Sequence, residues 1–174
     1  MSVNNSYPEL PEEKYRKTTI EMGEVINYIK SLKITKEIKI AVYVVFRNES
    51  GNGKSGINNN YCGIQADVGR WPEYLNNQVT GTVIKRERMT NKERRFLCFT
   101  SFSANIDFLV DRIVARGLYV GGTLNKIAVM EIDNSADWIT GYWRSWVTGN
   151  ENATPPPDER AGLKSMYAQG ERIF

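Results

Sequence analysis

The alternation of apolar and polar positions predicts a mainly helical chain with one β-hairpin. Apolar residues recur at helical spacing over Thr18–Leu32, which predicts a helix with Thr19 as its N-cap. Thr35–Asn48 is apolar on every side and rich in β-branched residues, as in a strand or a central buried helix, and its Thr-Lys-Glu start favours the helix. Two β-rich arms around "TNKE" predict a hairpin over Gly81–Phe102.

Three further helices are predicted in the second half of the chain. Ser103–Gly117 is amphipathic, with Ser103 as N-cap and Gly117 as its end. The stretches "LNKIAVMEI" and "SADWITGYWRSWVTG" also favour helices. In the second of these, an aromatic stripe at four-residue spacing is predicted to pack in the core: Trp138, Tyr142 and Trp146.

The same pattern divides the chain into three parts. Residues 1–17 are polar and contain two prolines, which predicts an extended arm. Residues 18–149 form the predicted domain, of α+β class and mainly α. Residues 150–174 begin with the linker-like "NENATPPPDER", and the last fourteen residues are predicted to be a short helix or a docking tail.

Composition and charge fit a single globular domain. The chain is 41% hydrophobic and 25% charged, so its 174 residues can bury a core. The net charge of +3 is too small to indicate nucleic acid and suits a polyanionic partner such as the bacterial cell wall. No signal peptide and no apolar run of roughly 18 residues is visible, which predicts synthesis in the cytoplasm and no membrane span.

The absence of histidine restricts the chemistry most. It excludes Ser-His and Cys-His nucleophile pairs and the common histidine-based zinc hydrolase sites. An enzyme with this sequence moves protons with carboxylates, tyrosine or lysine. Cys62 and Cys98 lack metal-ligand spacing and are predicted to be buried free thiols rather than a disulfide, and no metal or cofactor is predicted.

Gly53-Lys54-Ser55 invites comparison with a phosphate-binding loop. That motif requires a glycine at position 48, where this chain has Asn48, and a helix after the serine. The sequence that follows, "GINNNYCGI", is a poor helix start. The phosphate-loop hypothesis therefore fails.

Glu49 offers a second interpretation of the same stretch. At the carboxyl end of the predicted helix, the carbonyl dipoles and the apolar neighbours Val45 and Phe46 both favour a protonated carboxyl, as a general acid requires. Gly51 and Gly53 are available to end the helix. The alternative is that Glu49 is a solvated residue at a helix end.

The stretch "ESGNGKSGINNNYCGIQAD", Glu49–Asp67, resembles the active-site segment of the glucosaminidase-type peptidoglycan hydrolases, the family of autolysins, flagellar rod-cap hydrolases and phage lysins. The resemblance extends over Thr19–Gly117, because "TVIKRERMTNKERRFLCFTSFSANIDFLVDRI" follows in the family's order of hairpin and helix. Two features depart from the pattern: Cys62 is inserted between Tyr61 and Gly63, and Phe102 stands where tyrosine is common.

This resemblance implies a lysozyme-like helical domain with a small β-hairpin lobe, and Glu49 as proton donor to the glycosidic oxygen. The substrate that the resemblance implies is the amino-sugar backbone of peptidoglycan, and the implied reaction needs no cofactor. The side chains expected to contact sugar, by hydrogen bonds or by ring stacking, are Ser50, Asn59, Asn60, Tyr61, Gln65, Trp71 and Phe102.

The second catalytic group is open between several candidates. By resemblance, the first hairpin strand carries a cleft-facing glutamate, which Glu87 matches best. Glu87 can equally neutralise Arg86 and Arg88 on a solvated strand. Asp67, Glu73 and Glu93 are the other carboxylates considered, and assistance by the sugar's acetamido group needs no second carboxylate.

The predicted function is cleavage of a β-1,4 bond of peptidoglycan by a phage lysin or virion-associated enzyme that acts on the cell wall. Its partners are glycan strands and, through the terminal segments, phage structural proteins. Two rivals are a catalytically silent lysozyme-like module in a phage particle or secretion machine, and a nucleic-acid-binding domain that uses the basic hairpin.

Overall fold

The computed structural model describes residues 10–66, 71–86, 90–116, 118–119, 126–127 and 135–174. These residues combine helices with short antiparallel strand pairs. The helices are α1 (Met22–Ser31), α2 (Lys36–Glu49), α3 (Phe102–Arg116), α4 (Ser135–Tyr142) and α5 (Pro157–Ile173). The strands are β1 (Lys17–Thr18), β2 (Gly56–Ile57), β3 (Val79–Arg86), β4 (Glu93–Phe99), β5 (Leu118–Tyr119) and β6 (Lys126–Ile127).

Helix α2 forms around a central stretch, Ile40–Phe46, in which every position is apolar. Residues Ile40 to Phe46 are each at most 3% exposed. The Thr35 hydroxyl accepts a hydrogen bond from the Ile38 backbone N–H at 3.4 Å, which caps the start of the helix. The helix predicted at Thr35–Asn48 is therefore confirmed, and the strand alternative is wrong.

Strands β3 and β4 form the predicted hairpin, paired from Val79 with Phe99 to Arg86 with Glu93. Both long edges carry additional backbone pairing. On the β3 edge, the Glu13 N–H donates to the Thr82 carbonyl at 2.7 Å. On the β4 edge, the Ala66 N–H donates to the Arg95 carbonyl at 2.8 Å. Coverage of both edges stabilises a hairpin that would be marginal alone.

The chain forms two compact units, the first comprising Met1–Val25 with Phe46–Phe108 and the second Ile26–Val45 with Leu109–Phe174. In the first unit, aromatic rings pack around Phe108, which lies 4.9 Å from Phe99 and 5.5 Å from Trp71 between centroids. This cluster joins helix α3 to the hairpin and to the segment that precedes it.

The second unit has its own aromatic core. Trp138 stacks on Tyr142 with their centroids 5.3 Å apart, and lies 5.8 Å from Tyr167 of α5. The predicted core positions of Trp138 and Tyr142 are confirmed, whereas Trp146 is only half-buried. Its place differs because α4 continues into a wider π-helical turn, Trp143–Thr148, which rotates it away from the α-helical stripe.

Within the first unit, the N-terminal arm is bound along its whole described length. Its Pro11 carbonyl accepts a hydrogen bond from Thr82, its Arg16 backbone bonds with Asn58, and strand β1 pairs with β2. The Ile20 N–H then donates to the Gly53 carbonyl at 2.9 Å. The predicted extended conformation fits these residues.

Four predicted boundaries or element types are wrong. Helix α1 begins at Met22, three residues after the predicted cap Thr19. Ser101 caps α3 instead of Ser103, because the Ser101 hydroxyl accepts from the Ala104 N–H. Lys126 and Ile127 in "LNKIAVMEI" form a strand with β5. The helix alternative for the chain end is confirmed as α5, with Leu163 and Tyr167 buried, but α5 begins at Pro157, four residues before the predicted start and inside the predicted linker.

None of the helices in the described ranges combines the length and the apolar character that crossing a bilayer demands.

Candidate functional site

Glu49 is the last residue of helix α2, and it is half-buried. Residues Ile40 to Phe46 of this helix are buried, so the backbone that leads to Glu49 is fixed by packing. The next residue, Ser50, is fully buried. The carboxylate thus stands where a rigid helix reaches partly accessible surface, as the sequence predicts.

Ser50 closes the helix rather than facing a ligand. Its hydroxyl donates to the Phe46 carbonyl at 2.6 Å and accepts from the Gly53 N–H at 2.8 Å. The hydroxyl uses both its donor and its acceptor within the protein, and Ser50 has no exposed surface. The prediction that Ser50 contacts sugar is therefore wrong. It holds the turn that fixes Glu49.

The turn after Ser50 is left-handed over three consecutive residues, with φ of 55° at Gly51, 60° at Asn52 and 80° at Gly53. A Cβ atom at Gly53 would collide with the Ile20 carbonyl, so glycine is required there for space as well as for φ. After this turn the chain enters strand β2 rather than a helix. The structure thus agrees with the rejection of the phosphate-loop hypothesis.

The asparagine run joins three parts of the first unit. The Asn58 amide binds the arm by donating to the Lys14 carbonyl at 2.9 Å. The Asn59 amide donates to the Phe99 carbonyl at 3.0 Å. The Asn60 amide donates to the carbonyls of Ile64 and Leu97 and accepts from the Ile64 N–H. The Asn60 side chain is buried and fully bonded to backbone, so the sugar-binding prediction for Asn60 is wrong, whereas the half-buried Asn59 stays a prediction.

The two aromatics predicted to stack on sugar are buried. Tyr61 is 3% exposed and packs on Phe46 at 5.1 Å between centroids. Trp71 is 7% exposed, and its indole N–H donates to the Asn76 side chain at 2.7 Å. Neither ring offers a face to a ligand, so both stacking predictions are wrong. The exposed aromatic rings among the described residues are those of Tyr15 and Tyr74.

Some of the remaining predicted site residues are described by the structure, and others are not. Gln65 and Phe102 are half-buried, Gln65 beside Phe96 of β4 and Phe102 at the start of α3. Both stay predictions as sugar contacts. Glu87 and Asp67 lie outside the described residues. Glu93 is exposed and forms an ion pair with Arg86 at 3.2 Å.

Cys62 is the residue near Glu49 that the sequence does not select. It is 2% exposed, and burial raises the pKa of its thiol well above the usual value, with a smaller contribution from the negative charge of Glu49. The carboxylate of Glu49 is therefore close enough for its charge to act on the thiol. No pattern in the sequence indicates this proximity, because it depends on the packing of Tyr61, the preceding residue, on Phe46, which lies one helical turn before Glu49.

The second cysteine is also buried, and both are free, as predicted. Burial, followed by the charge of Glu13, raises the pKa of Cys98 to about 12. Both thiols therefore remain neutral across the physiological range. Within the parts of the chain that the structure describes, no three cysteine, aspartate or glutamate side chains form a group suited to a metal ion.

We expect neither thiol to react with Ellman's reagent in the folded protein at pH 8, and both to react in denaturant, because the thiolate is the reactive form. The folded Cys98 keeps its proton up to about pH 12, whereas the unfolded thiol ionises near 9.0. Its contribution to stability is thus complete below pH 9 and falls as pH rises towards 12. Rapid labelling of the native protein would contradict this burial.

Taken together, the contacts assign most of the motif Glu49–Asn60 to building a rigid turn and junction, and leave Glu49 as its partly accessible carboxylate. The resemblance to glucosaminidases rests on these residues and on the hairpin and helix that follow. Comparison with protein-family models, with curated proteins and with solved structures finds no match for this chain.

Proposed function

We propose that this protein is a lysozyme-like glycoside hydrolase that cleaves a β-1,4 bond of the peptidoglycan backbone, with Glu49 as general acid. The observation that carries the proposal is the placement of Glu49, which is a half-buried carboxylate at the carboxyl end of helix α2, directly before the turn that Ser50 fixes. Its setting in a phage lysin or virion-associated enzyme stays a prediction.

The surroundings of Glu49 suit proton donation. Glu49 is the last residue of α2, and the carbonyl dipoles at the carboxyl end of a helix disfavour a nearby negative charge, which is the direction that a general acid needs. A carboxyl that keeps its proton near neutral pH can transfer it to the leaving glycosidic oxygen. The absence of histidine from the chain leaves this role to a carboxylate, tyrosine or lysine.

The rigidity of the motif supports the same role. A general acid must stay within hydrogen-bond reach of the oxygen that it protonates, about 2.6–3.2 Å. Ser50 and the left-handed turn fix the backbone directly after Glu49, and the amide of Asn60 fixes the segment around Cys62. Ser50 and Asn60 therefore support the proposed site by fixing the backbone around it.

We propose Glu87, on the hairpin, as the second catalytic group. The exposed Glu93, in β4, is expected to have no catalytic role. Glu93 is paired with Arg86 at the surface, which makes it a matched control for the loss of a hairpin carboxylate. Acetamido assistance by the substrate is the mechanism that remains if Glu87 is not needed.

The test is digestion of purified peptidoglycan by the unaltered protein, by Glu87→Gln and by Glu93→Gln, with mass analysis of the released fragments. We expect new reducing ends on one of the two amino sugars, a strong loss of rate for Glu87→Gln and an unchanged rate for Glu93→Gln. The identity of the reducing end, or an anhydro end, shows which bond is cleaved and how.

Two outcomes would count against parts of this proposal. If Glu87→Gln keeps the full rate, the hairpin supplies no catalytic carboxylate. If the unaltered, folded protein releases no fragments from peptidoglycan of varied origin, the peptidoglycan hydrolase proposal is wrong, and the silent module and the nucleic-acid-binding domain are the hypotheses that remain.

A further inference from the structure

The N-terminal arm is attached to the first unit by hydrogen bonds and not by buried side chains. Within residues 10–21, no residue is buried, and the half-buried ones are Leu10, Glu13, Thr18 and Ile20. A segment with few buried apolar contacts and solvent-exposed hydrogen bonds opens locally at a lower free energy than the core. We therefore expect the arm to detach while the rest of the unit stays folded.

Asn58 holds the centre of the arm with a single side chain. Its side-chain oxygen accepts a hydrogen bond from the Arg16 N–H at 2.8 Å. Its amide donates to the Lys14 carbonyl at 2.9 Å and to the Glu13 carboxylate at 3.2 Å. Asn58 is itself fixed, because it is 2% exposed and its carbonyl accepts from the Phe99 N–H at 2.9 Å. Loss of this one side chain removes three bonds to the arm.

The arm reaches the proposed site through Ile20. The Ile20 N–H donates to the Gly53 carbonyl at 2.9 Å, in the left-handed turn directly after Glu49. The Gly53 N–H donates in turn to the hydroxyl of Ser50, the residue next to Glu49. A Cβ atom at Gly53 would collide with the Ile20 carbonyl, so the arm and the turn are in direct contact.

Thr18 makes a second connection from the arm to the site. Its hydroxyl accepts from the Asn59 N–H at 3.1 Å and also bonds with the Tyr61 hydroxyl. The Tyr61 ring packs on Phe46, one helical turn before Glu49. The docked arm is thus bonded both to the turn that follows Glu49 and to a ring packed against the helix that precedes it.

We propose that docking of the arm regulates the proposed acid, because the docked arm holds the turn after Glu49 in the catalytic geometry and the detached arm releases it. Thr18 and Ile20 are positioning residues in this arrangement, and Asn58 keeps the arm docked. The inference rests on the proposed function. A misplacement of about 1 Å costs about 10²-fold in rate, so release of the arm lowers the rate without removing any group that touches substrate.

The experiment compares matched pairs of variants. Asn58→Gly removes three bonds to the arm and leaves a residue that adopts the φ of 48° without strain. Its control is Asn91→Gly, the same change at an exposed position with φ of 53°. A milder variant, Thr18→Val, removes only the hydroxyl, whereas Thr18→Ser keeps it. The control for Thr18→Val is Thr19→Val at the exposed neighbouring position.

Hydrogen exchange of single amides, measured by NMR, follows the arm without any substrate. In the unaltered protein, the amides of Arg16 and Ile20 should be at least about tenfold less protected than those of Ile106 and Phe108, which are buried in α3. In Asn58→Gly, the arm amides should exchange about 10–10³-fold faster, the effect of three lost hydrogen bonds.

The amides of the turn show whether the arm holds it. The N–H groups of Gly53 and Lys54 are both bonded to Ser50, so they report on the backbone directly after Glu49. We expect their exchange to accelerate together with that of the arm in Asn58→Gly, and to stay unchanged in Asn91→Gly.

Digestion of soluble peptidoglycan fragments gives the second readout, as separate values of kcat and KM. We expect Asn58→Gly to lose about tenfold in kcat and Thr18→Val about threefold, with KM changed less than about twofold. Thr18→Ser should restore the rate. A residue that only stabilises the fold would leave the kcat of the folded protein unchanged. Circular dichroism confirms that each variant is folded.

Three results would overturn the proposal. The first is an arm that is as strongly protected as α3 in the unaltered protein. The second is an unchanged turn in Asn58→Gly although the arm exchanges faster, and the third is an unchanged kcat in that folded variant. If Asn58→Gly does not fold, the comparison of Thr18→Val with Thr18→Ser decides the same questions.

Failure of the proposed function would be distinguishable from failure of this inference. If the unaltered protein digests no peptidoglycan, Glu49 is not the acid that the arm would regulate. The exchange measurements would still show whether the arm detaches and whether it holds the turn.

Discussion

Replacing Glu49 by glutamine is expected to reduce the rate of peptidoglycan digestion by about 10²–10⁴-fold, the usual contribution of a general acid. Glutamine keeps the shape and the hydrogen-bonding capacity of the side chain but has no proton to transfer to the glycosidic oxygen. Because Glu49 is half-buried at a helix end and not in a core, the melting temperature should change little. Release of soluble fragments from purified sacculi measures the rate.

The control for this variant is Glu159→Gln, the same chemical change at an exposed position in the first turn of α5. It should leave digestion unaltered. Digestion by Glu49→Gln at near the normal rate would remove the enzymatic assignment of Glu49, and with it the proposed mechanism. A loss of rate accompanied by unfolding would be detected by circular dichroism and would not support the acid role.

Replacing Tyr61 by alanine is expected to lower the free energy of unfolding by about 3–5 kcal/mol, as for other buried aromatic side chains. The ring is 3% exposed and packs on Phe46 at the base of the proposed site. Its truncation leaves a cavity beside the last turn of α2. Urea unfolding followed by circular dichroism measures the loss.

Two companion variants separate the causes of that loss. Tyr61→Phe keeps the ring but removes the hydroxyl that bonds with Thr18, so it should cost only about 1 kcal/mol. Tyr74→Ala removes a ring that is 72% exposed and should cost less than about 0.5 kcal/mol. If Tyr61→Ala is as stable as Tyr74→Ala, the ring is not part of the core.

Local pattern was sufficient to predict the elements that carry the site. Helix α2 is apolar on all sides and starts with a capping threonine, so its type and the place of Glu49 follow from neighbouring residues. The β3–β4 hairpin likewise follows from two β-rich arms and a polar turn. In both cases the residues that determine the structure lie in the element itself or next to it in the sequence.

The wrong predictions concern residues whose partners are distant in the chain. Asparagines in a row suggest an exposed turn, yet Asn58 bonds to the arm 42 residues earlier and Asn60 to β4, 37 residues later. Tyr61 is buried because Phe46 packs against it, which its own neighbours do not reveal. Lys126 and Ile127 form a strand only because β5 pairs with them.

The binding of the N-terminal arm by Thr82 has a consequence for the order of events during synthesis on the ribosome. The arm leaves the ribosome before the hairpin does, because its partner on β3 is about 70 residues further along the chain. At translation rates of about 5–20 residues per second, the arm waits for several seconds before that partner exists. Through this interval its unpaired backbone is open to chaperones and to proteases, and the first unit cannot be complete until the hairpin has emerged.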